Sequence, residues 1–318
     1  MATAANSSRH SKPLLPPLRR AFLAVVFALC ATGAASAQPD AALEAQLRAQ
    51  TANYAGKVAL YATDLRSGKT VALNADTPVP TASVIKLTVL FEALKQIEAG
   101  QAQFTDPLTL TKANQVEGSG VLELFDTPQT LTLKDALTLM VVLSDNTATN
   151  LAIDKLGLQN IDARIQWMGL HDTWLYKKVF MPAVPPVPAD QPQFGLGKTT
   201  AREMASVMQR FVDCNLQAPG TAAAPAATGK QLCAAALGML KNQSDRDAIP
   251  RYIPSLTVAN KTGALDEVRN DVAAVYAKNG PIIISAFTYD NADHSWTPDN
   301  GAQLLIARLA KTIVDRWQ

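Results

Sequence analysis

The segment 83–99 constrains the fold most, because its apolar residues are distributed nearly all round a helical circumference. These apolar residues are Val84, Ile85, Leu87, Val89, Leu90, Phe91 and Leu94. A helix that is apolar on every side has no face to present to water, so other elements must enclose it. We therefore predict a buried central helix over residues 83–99.

The remaining predicted elements follow the order strands, helices, strands and a final helix. Alternating or apolar runs predict strands at 57–65, 69–74, 255–261, 269–277 and 281–288. Helical periodicity predicts helices at 41–53, 132–143, 147–156, 160–168, 200–212, 231–241 and 301–317. The simplest assembly is an α/β (α+β) fold, in which both chain ends build a mainly antiparallel sheet flanked by the terminal helices. An all-α lobe, residues 83–249, is inserted between the two parts of the α/β subdomain, 38–82 and 250–318.

The first 37 residues have the composition of an export signal. Their basic residues are Arg9, Lys12, Arg19 and Arg20, and they contain no acidic residue. Residues 21–34 are apolar but too few to span a membrane, and Ala35-Ser36-Ala37 resembles a cleavage site. We expect an exported protein, periplasmic or secreted, with either an ordinary secretory signal or a twin-arginine signal at Arg19-Arg20-Ala21-Phe22-Leu23.

The charge of the remaining chain argues against a nucleic-acid or membrane-surface partner. Residues 1–37 hold four of the 29 Lys and Arg residues, so residues 38–318 carry 25 basic residues against 27 acidic ones. A nearly neutral surface offers no basic patch for phosphates. No second apolar run is long enough to span a membrane, so we expect a soluble monomer after signal removal.

Two cysteines, Cys214 and Cys233, remain beyond the signal. In an oxidising compartment we expect them to form a disulfide, although two buried free thiols are the alternative. The chain-entropy treatment gives such a bridge about 3 kcal/mol of stabilisation.

Three short motifs carry the chemistry: Ser83-Val84-Ile85-Lys86, Ser144-Asp145-Asn146 and Lys261-Thr262-Gly263. Ser83 and Lys86 are one helical turn apart, so both project from one face of a helix that Ser83 opens. A lysine in a dry pocket can lose its proton near neutral pH and deprotonate a serine. We place the second motif at the end of a helix and the third at the end of a strand. Their combination indicates serine acyl transfer without histidine.

With these motifs in this order, the chain resembles the class A β-lactamases, a family of penicillin-interacting serine enzymes. The resemblance spans residues 38–318, and Thr199-Thr200 at the start of a helix is a further match. It implies the β-lactamase/DD-peptidase fold, with Ser83 as the acylated nucleophile and Lys86 as its base. Ser144 would pass a proton to the leaving nitrogen. The backbone N–H groups of Ser83 and Ala264 would form the oxyanion hole.

The resemblance also implies the substrate contacts. Asn146 would hold the substrate amide and the base, and Lys261-Thr262-Gly263 would line the substrate, with Lys261 and Thr262 binding its carboxylate. Arg269 matches the family's carboxylate-clamping arginine if the hairpin after Lys261 is one residue shorter. Otherwise Arg269 is a surface arginine on a strand.

The chain departs from the family in the loop before Thr199. Class A enzymes carry there a glutamate that activates the deacylating water, and counting back places it at Pro185. No glutamate occurs between residues 177 and 198, and the loop is rich in proline. Lys198 stands where the family usually has an aspartate. The substitute bases are Asp190, neutral Lys86, Asp266 and Glu267, although Asp190 is more simply a solvated loop residue.

The leading hypothesis is an exported serine β-lactamase-like hydrolase that opens β-lactams through an acyl-Ser83 intermediate. The resemblance then implies β-lactam catabolism and antibiotic resistance. One alternative is a D-Ala peptidase, or another amidase or esterase, acting on a peptidoglycan-like substrate. Another is a β-lactam-binding protein that is acylated without turnover. No cofactor is expected, and His171 and His294 do not form a ligand pair, so no metal is expected either.

Overall fold

A computed structural model describes residues 1–5, 37–221 and 227–318. The chain divides into a short unit, residues 1–34, and a large unit, residues 35–318. Most of the export signal predicted for residues 1–37 lies outside the described residues. No helix in the described ranges has the length and apolar character needed to cross a membrane.

The large unit begins with one helix and several strands, continues mostly with helices, and ends with three long strands and a helix. Its strands are β1 (Gln38–Pro39), β2 (Lys57–Asp64), β3 (Lys69–Leu73), β4 (Val79–Pro80), β5 (Pro107–Leu110), β6 (Gln129–Thr132), β7 (Trp174–Leu175), β8 (Gly197–Thr199), β9 (Thr257–Leu265), β10 (Val268–Ala277) and β11 (Gly280–Tyr289). Its α-helices are α1 (Ala41–Thr51), α2 (Lys86–Glu98), α3 (Leu133–Val142), α4 (Asn146–Leu156), α5 (Leu158–Trp167), α6 (Gln191–Phe194), α7 (Ala201–Val212), α8 (Ala227–Lys241) and α9 (Gly301–Trp317). Short 3₁₀ turns include Ala82–Ile85 and Ile249–Tyr252.

Both ends of the chain build the main sheet, as predicted. The strand order is β1-β3-β2-β11-β10-β9. Only the two-residue β1 runs parallel to its neighbour in this sheet, and the other pairs are antiparallel. β9 and β10 form a tight hairpin, in which Leu265 pairs with Val268 across a turn of two residues.

The terminal helices α1 and α9 cover one face of this sheet. They bury a core with the inward-facing residues of β2, β10 and β11, and it contains Leu43, Leu47, Leu305, Leu309, Ile313 and Trp317. Helix α7 packs on the opposite face, and α8 contacts β9. The predicted fold class is confirmed.

Helix α2 is the buried central helix that its composition predicts. It contacts α3, α4, α5, α7 and α8, and ten of its thirteen residues are buried. The prediction that the α-helix opens at Ser83 is wrong, since Ala82–Ile85 forms a 3₁₀ turn and the α-helix begins at Lys86. Apolar periodicity alone does not distinguish these two helical forms over a single turn.

Two further sequence predictions are corrected by the strand pairing. Lys261 does not end its strand, because β9 continues to Leu265 and pairs with β10 along its whole length. The segment before Thr199, described from the sequence as a loop, contains β8, whose Thr199 pairs with Val79 of β4. Strands of two or three residues are too short to show an alternating pattern.

The predicted disulfide is present. Cys214 follows α7, Cys233 lies within α8, and their Cα atoms are 5.5 Å apart. The bridge therefore links the end of α7 to α8, and both of these helices contact α2 and the sheet.

Candidate active site

The fold brings the three motifs together at the junction of α2, α4 and β9. The Lys86 Nζ lies 3.2 Å from Ser144 Oγ and 3.0 Å from Asn146 Oδ1. The Lys261 Nζ lies 3.0 Å from the same Ser144 Oγ. We call Lys86, Ser144, Asn146 and Lys261 the polar cluster.

Lys86 is fully buried at the first position of α2. Its Nζ also donates to the backbone carbonyl of Ser144 at 2.6 Å. Burial lowers the pKa of Lys86 well below its usual value, and the nearby Lys261 cation lowers it further, whereas Asp145 opposes the shift. Lys86 is therefore neutral at a lower pH than an exposed lysine.

Lys261 is also fully buried, on the central part of β9. Its Nζ donates to the Thr262 carbonyl at 2.7 Å as well as to Ser144. Burial lowers the pKa of Lys261 to about 8, although the carboxylates of Asp245 and Asp271 favour its charged form. Lys261 therefore keeps most of its charge at neutral pH.

Ser144 occupies the short turn between α3 and α4, with a φ of +56° that non-glycine residues seldom adopt. Both lysines donate to its Oγ. A serine hydroxyl has two lone pairs and one proton. With both lone pairs engaged by the lysines, the Ser144 proton is free to be donated to a third group.

Asp145 fixes the loop that leads into α4. Its Oδ1 accepts the Ala148 N–H at the start of the helix, and its Oδ2 accepts the N–H groups of Val121 and Leu122 at 2.7 and 2.9 Å. A Cβ at Gly120 would lie 2.2 Å from the Asp145 carboxylate, so only glycine permits this approach. The loop at 117–119 in turn binds Asn146, whose Nδ2 donates to the Glu117 carbonyl at 3.0 Å.

Ser83 is partly exposed on the 3₁₀ turn, after Ala82 with its φ of +43°. The strand β9 lies directly against this turn. A Cβ at Gly263 would be 2.9 Å from the Ser83 backbone nitrogen and 2.8 Å from the Thr81 carbonyl oxygen. The nucleophile predicted from the sequence therefore lies beside the Lys261-Thr262-Gly263 strand.

Ala264 and Arg269 face each other in register across the β9–β10 hairpin. The Arg269 guanidinium is buried and donates to the backbone carbonyls of Leu265, Val268 and Ser295. It also stacks on the Trp296 ring, 4.5 Å from the ring centroid. Burial lowers the pKa of Arg269. These contacts tie Arg269 to the β9–β10 hairpin and to the segment after β11, and they do not bring it to the polar cluster.

The loop before α7 contains Asp190, one of the substitute bases. Its Oδ1 accepts the Tyr176 hydroxyl at 2.8 Å, and its Oδ2 accepts the Lys198 Nζ at 2.6 Å. The hydrogen bond from Lys198 is the main reason that the pKa of Asp190 is lowered. The Lys198 that replaces the usual aspartate therefore pairs with an acid in the same loop.

The other two substitute carboxylates, Asp266 and Glu267, are exposed in the hairpin turn. Asp266 accepts the Trp296 Nε1–H at 3.3 Å, and Glu267 lies 3.8 Å from His294. Within residues 1–5, 37–221 and 227–318, no three His, Cys, Asp or Glu side chains are grouped as metal ligands would be.

Sequence reasoning missed several residues that hold the site together. Gly120, the Asn150–Val179 contact and the Tyr176 hydroxyl that donates to Asp190 belong to no local motif, because each meets residues at least 14 positions away in the chain. The one available signal was the pair of glycines at 118 and 120, which indicated a loop of unusual conformation.

The architecture is that of β-lactamases and penicillin-binding proteins. The crystal structure of a β-lactamase from Sphaerobacter thermophilus is 26% identical, with a TM-score of 0.73 over 87% of this chain and 97% of that one. A mutant of PBP-A, solved as an acyl-enzyme complex with penicillin G, is 21% identical, with a TM-score of 0.73 over 89% and 98%.

Sequence comparison agrees with the fold. The β-lactamase of Streptomyces fradiae is 27% identical over 316 residues, which cover 94% of this chain and 96% of that protein. A model of the β-lactamase enzyme family matches residues 42–317. The chain therefore belongs to the β-lactamase enzyme family, and the resemblance inferred from the three motifs is confirmed.

Proposed function

We propose that this protein opens β-lactams by forming an ester with Ser83. The observation that carries the proposal is the polar cluster, in which two fully buried lysines share one serine hydroxyl, together with the close approach of Gly263, two residues after Lys261, to the Ser83 backbone. Family membership supports a hydrolase of this type. The penicillin G bound covalently in the similar PBP-A mutant supports β-lactams as the substrate class.

In the acylation step, each residue of the candidate site has a separate role. Neutral Lys86 takes the Ser83 proton while Oγ attacks the lactam carbonyl carbon, and the backbone N–H groups of Ser83 and Ala264 receive the oxyanion. As the C–N bond breaks, Ser144 gives its proton to the ring nitrogen. Lys86, 3.2 Å from Ser144 Oγ, returns the proton to Ser144.

Substrate recognition uses the remaining groups. Asn146 holds the amide of the substrate, and Lys261 and Thr262 bind its carboxylate, with Gly263 allowing the strand to approach Ser83. Arg269 is the weaker candidate for the carboxylate, because backbone carbonyls already occupy its guanidinium.

Deacylation is the slow step in this proposal. A general base contributes roughly 10²–10⁴ in rate, and the loop before α7 offers only Asp190 in a glutamate-free segment. Lys198 and Tyr176 occupy both Asp190 oxygens and its pKa is lowered, so it is a weak base toward water. This observation favours a second candidate function, a β-lactam-binding protein that is acylated once and turns over very slowly.

We also propose that residues 1–37 direct export and are then removed, and that the remaining chain works as a monomer. The Cys214–Cys233 disulfide supports an oxidising compartment. The division into two subdomains, 38–82 with 250–318 and 83–249, belongs to the same proposal. The second was expected to be all-α and is mostly helical, but it also contains the short strands β5 to β8.

The test is to mix residues 38–318 with a chromogenic cephalosporin and follow both absorbance and protein mass. Acylation adds one ligand mass at Ser83, and Ser83→Ala abolishes the adduct. Ser119→Ala is the matched control, because Ser119 is exposed in the neighbouring loop and uses only its carbonyl, which accepts the Asn146 N–H.

The time course separates the alternatives. Continuous turnover identifies a hydrolase, and a burst of one equivalent with a persistent adduct identifies the binding protein. Release of D-Ala from a peptide, without any β-lactam adduct, identifies a peptidase. An adduct that survives in Ser83→Ala would overturn the proposal.

A further inference from the structure

Phe180 has two properties that are unusual together. Its φ is +56°, a left-handed conformation that a bulky side chain rarely adopts, and its side chain is 60% exposed. Neither burial nor turn chemistry explains an aromatic residue there. Strained residues of this kind persist only where the surrounding structure fixes them, and they concentrate at functional sites.

The helix that carries Asn146 also fixes the backbone next to Phe180. Asn150 Oδ1 accepts the Val179 N–H at 2.8 Å, and Asn150 Nδ2 donates to the Val179 carbonyl at 3.0 Å. Asn146 and Asn150 are four residues apart in α4 and therefore lie on the same helical face. Asn146 on this face belongs to the polar cluster, and Asn150 one turn later binds Val179, the residue before Phe180.

Gly118 lies between the Phe180 ring and the Asn146 amide. A Cβ on Gly118 would be 3.1 Å from Phe180 Cε2 and 2.8 Å from Asn146 Nδ2. Because Phe180 Cε2 and Asn146 Nδ2 are both about 3 Å from this Cβ position, the two atoms are at most about 6 Å apart. Gly118 has a φ of +95° and no side chain, so the Phe180 ring and the Asn146 amide can both approach its backbone closely.

We propose that Phe180 is a specificity-determining residue that contacts the side chain on the acylamino group of the substrate and favours aromatic groups there. This inference rests on the proposed function, in which Asn146 holds the substrate amide. A group attached to that amide begins within reach of the Phe180 ring. Two aromatic rings attract each other in offset or edge-on arrangements with centroids about 4.5–7 Å apart.

The experiment compares second-order acylation rates for penicillin G, which has a benzyl side chain, and 6-aminopenicillanic acid, which has none. Phe180→Ala is expected to slow acylation by penicillin G about 3- to 10-fold and to leave 6-aminopenicillanic acid unchanged. Phe180→Tyr is expected to retain the preference for penicillin G.

Val184→Ala is the matched control. Val184 is an exposed apolar residue of the same loop, but it lines a separate cavity of about 590 Å³ together with Asp162 and Tyr176. This variant is expected to leave both rates unchanged.

Phe180→Gly separates specificity from stability. Glycine adopts positive φ without strain, so this variant is expected to unfold at a higher urea concentration than Phe180→Ala while losing the same preference for penicillin G. Equal changes for the two compounds, or none, would overturn the inference while the proposed function stands. Failure of the unaltered protein to be acylated by either compound overturns both.

Discussion

At the scale of single residues, the site depends on two buried lysines with different tasks. In the proposed mechanism, Lys86 must be neutral to accept the Ser83 proton, whereas Lys261 must be charged to attract a carboxylate. Burial lowers the pKa of both, and the charge of Lys261 lowers the pKa of Lys86 further. The shared contact with Ser144 therefore couples the two protonation states.

This coupling predicts how acylation depends on pH. As pH rises through the pKa of Lys86, more base is available and acylation accelerates. As pH rises beyond about 8, Lys261 loses its proton and its attraction for the substrate carboxylate. The second-order acylation rate for penicillin G should therefore decline above about pH 8, by up to about tenfold per pH unit. Stopped-flow measurements between pH 6 and 10 test this.

The methyl ester of penicillin G provides the control, because it carries no carboxylate for Lys261 to bind. Its acylation rate should be lower at neutral pH and should not decline above pH 8. If the acylation rates of penicillin G and its methyl ester declined equally above pH 8, the decline would not be due to carboxylate binding by Lys261.

At the scale of elements, the position of Ser83 depends on how closely β9 approaches the 3₁₀ turn Ala82–Ile85. The contact at Gly263 is made by backbone atoms on both sides, so side-chain rearrangement cannot relieve it. Asn270 of β10 fixes the segment before the turn, since its Nδ2 donates to the Pro80 and Thr81 carbonyls at 2.9 and 3.1 Å. Two strands of the sheet thus set the position of Ser83.

Gly263→Ala should push β9 and the 3₁₀ turn Ala82–Ile85 apart. The added Cβ would approach the Thr81 oxygen and the Ser83 and Val84 nitrogens to within 2.8–2.9 Å, so the turn must shift. We expect a loss of about 1–3 kcal/mol in the free energy of unfolding. We also expect about a 100-fold slower acylation, because displacement of a reacting group by about 1 Å has this effect. Urea unfolding and stopped-flow acylation measure the two quantities.

Gly238→Ala is the matched control. Gly238 lies within α8, and a Cβ there would meet no atom within 4 Å. Alanine favours a helix over glycine by up to about 1 kcal/mol, so this variant should be slightly more stable and equally reactive. A Gly263→Ala variant that behaved in the same way would show that the close approach has no functional consequence.

At the scale of the whole molecule, the disulfide connects two helices that both contact α2, the helix that begins at Lys86 of the polar cluster. Helix α7 packs on the sheet, α8 packs on both α2 and β9, and Cys214–Cys233 joins the end of α7 to α8 across 19 positions of sequence. A bridge that closes a loop of this length restricts the unfolded chain.

Removal of the bridge should lower the free energy of unfolding by about 3 kcal/mol. Urea unfolding of the double variant Cys214→Ala/Cys233→Ala, compared with the oxidised protein, measures the loss. The unaltered protein in excess reductant is the control, because it loses the bridge without the change in side chains. Coincident unfolding curves for the oxidised and reduced protein would rule out a stabilising role.

Local sequence patterns predicted much of this fold and part of the candidate site. The apolar circumference of 83–99 predicted a central helix, and the apolar runs in 269–277 and 281–288 predicted two strands, which the structure pairs as neighbours. The patterns did not predict the 3₁₀ turn at Ser83 or the continuation of β9 beyond Lys261. Whether a single turn is 3₁₀ or α-helical, and where a strand ends, depend on the neighbouring elements that pack against that segment.

The sequence by itself determined which side chains are available for chemistry and which segments must be buried, because residue type and periodicity are local properties. Only the tertiary structure decided which side chains meet. Lys86 and Ser144 are 58 residues apart, and Ser144 and Lys261 are 117 apart, yet all three share hydrogen bonds. Likewise, only the tertiary structure shows that Arg269 donates to the Ser295 carbonyl and that Lys198 donates to Asp190. Such contacts, and the pKa shifts that burial causes, exist only once distant segments have packed and excluded water.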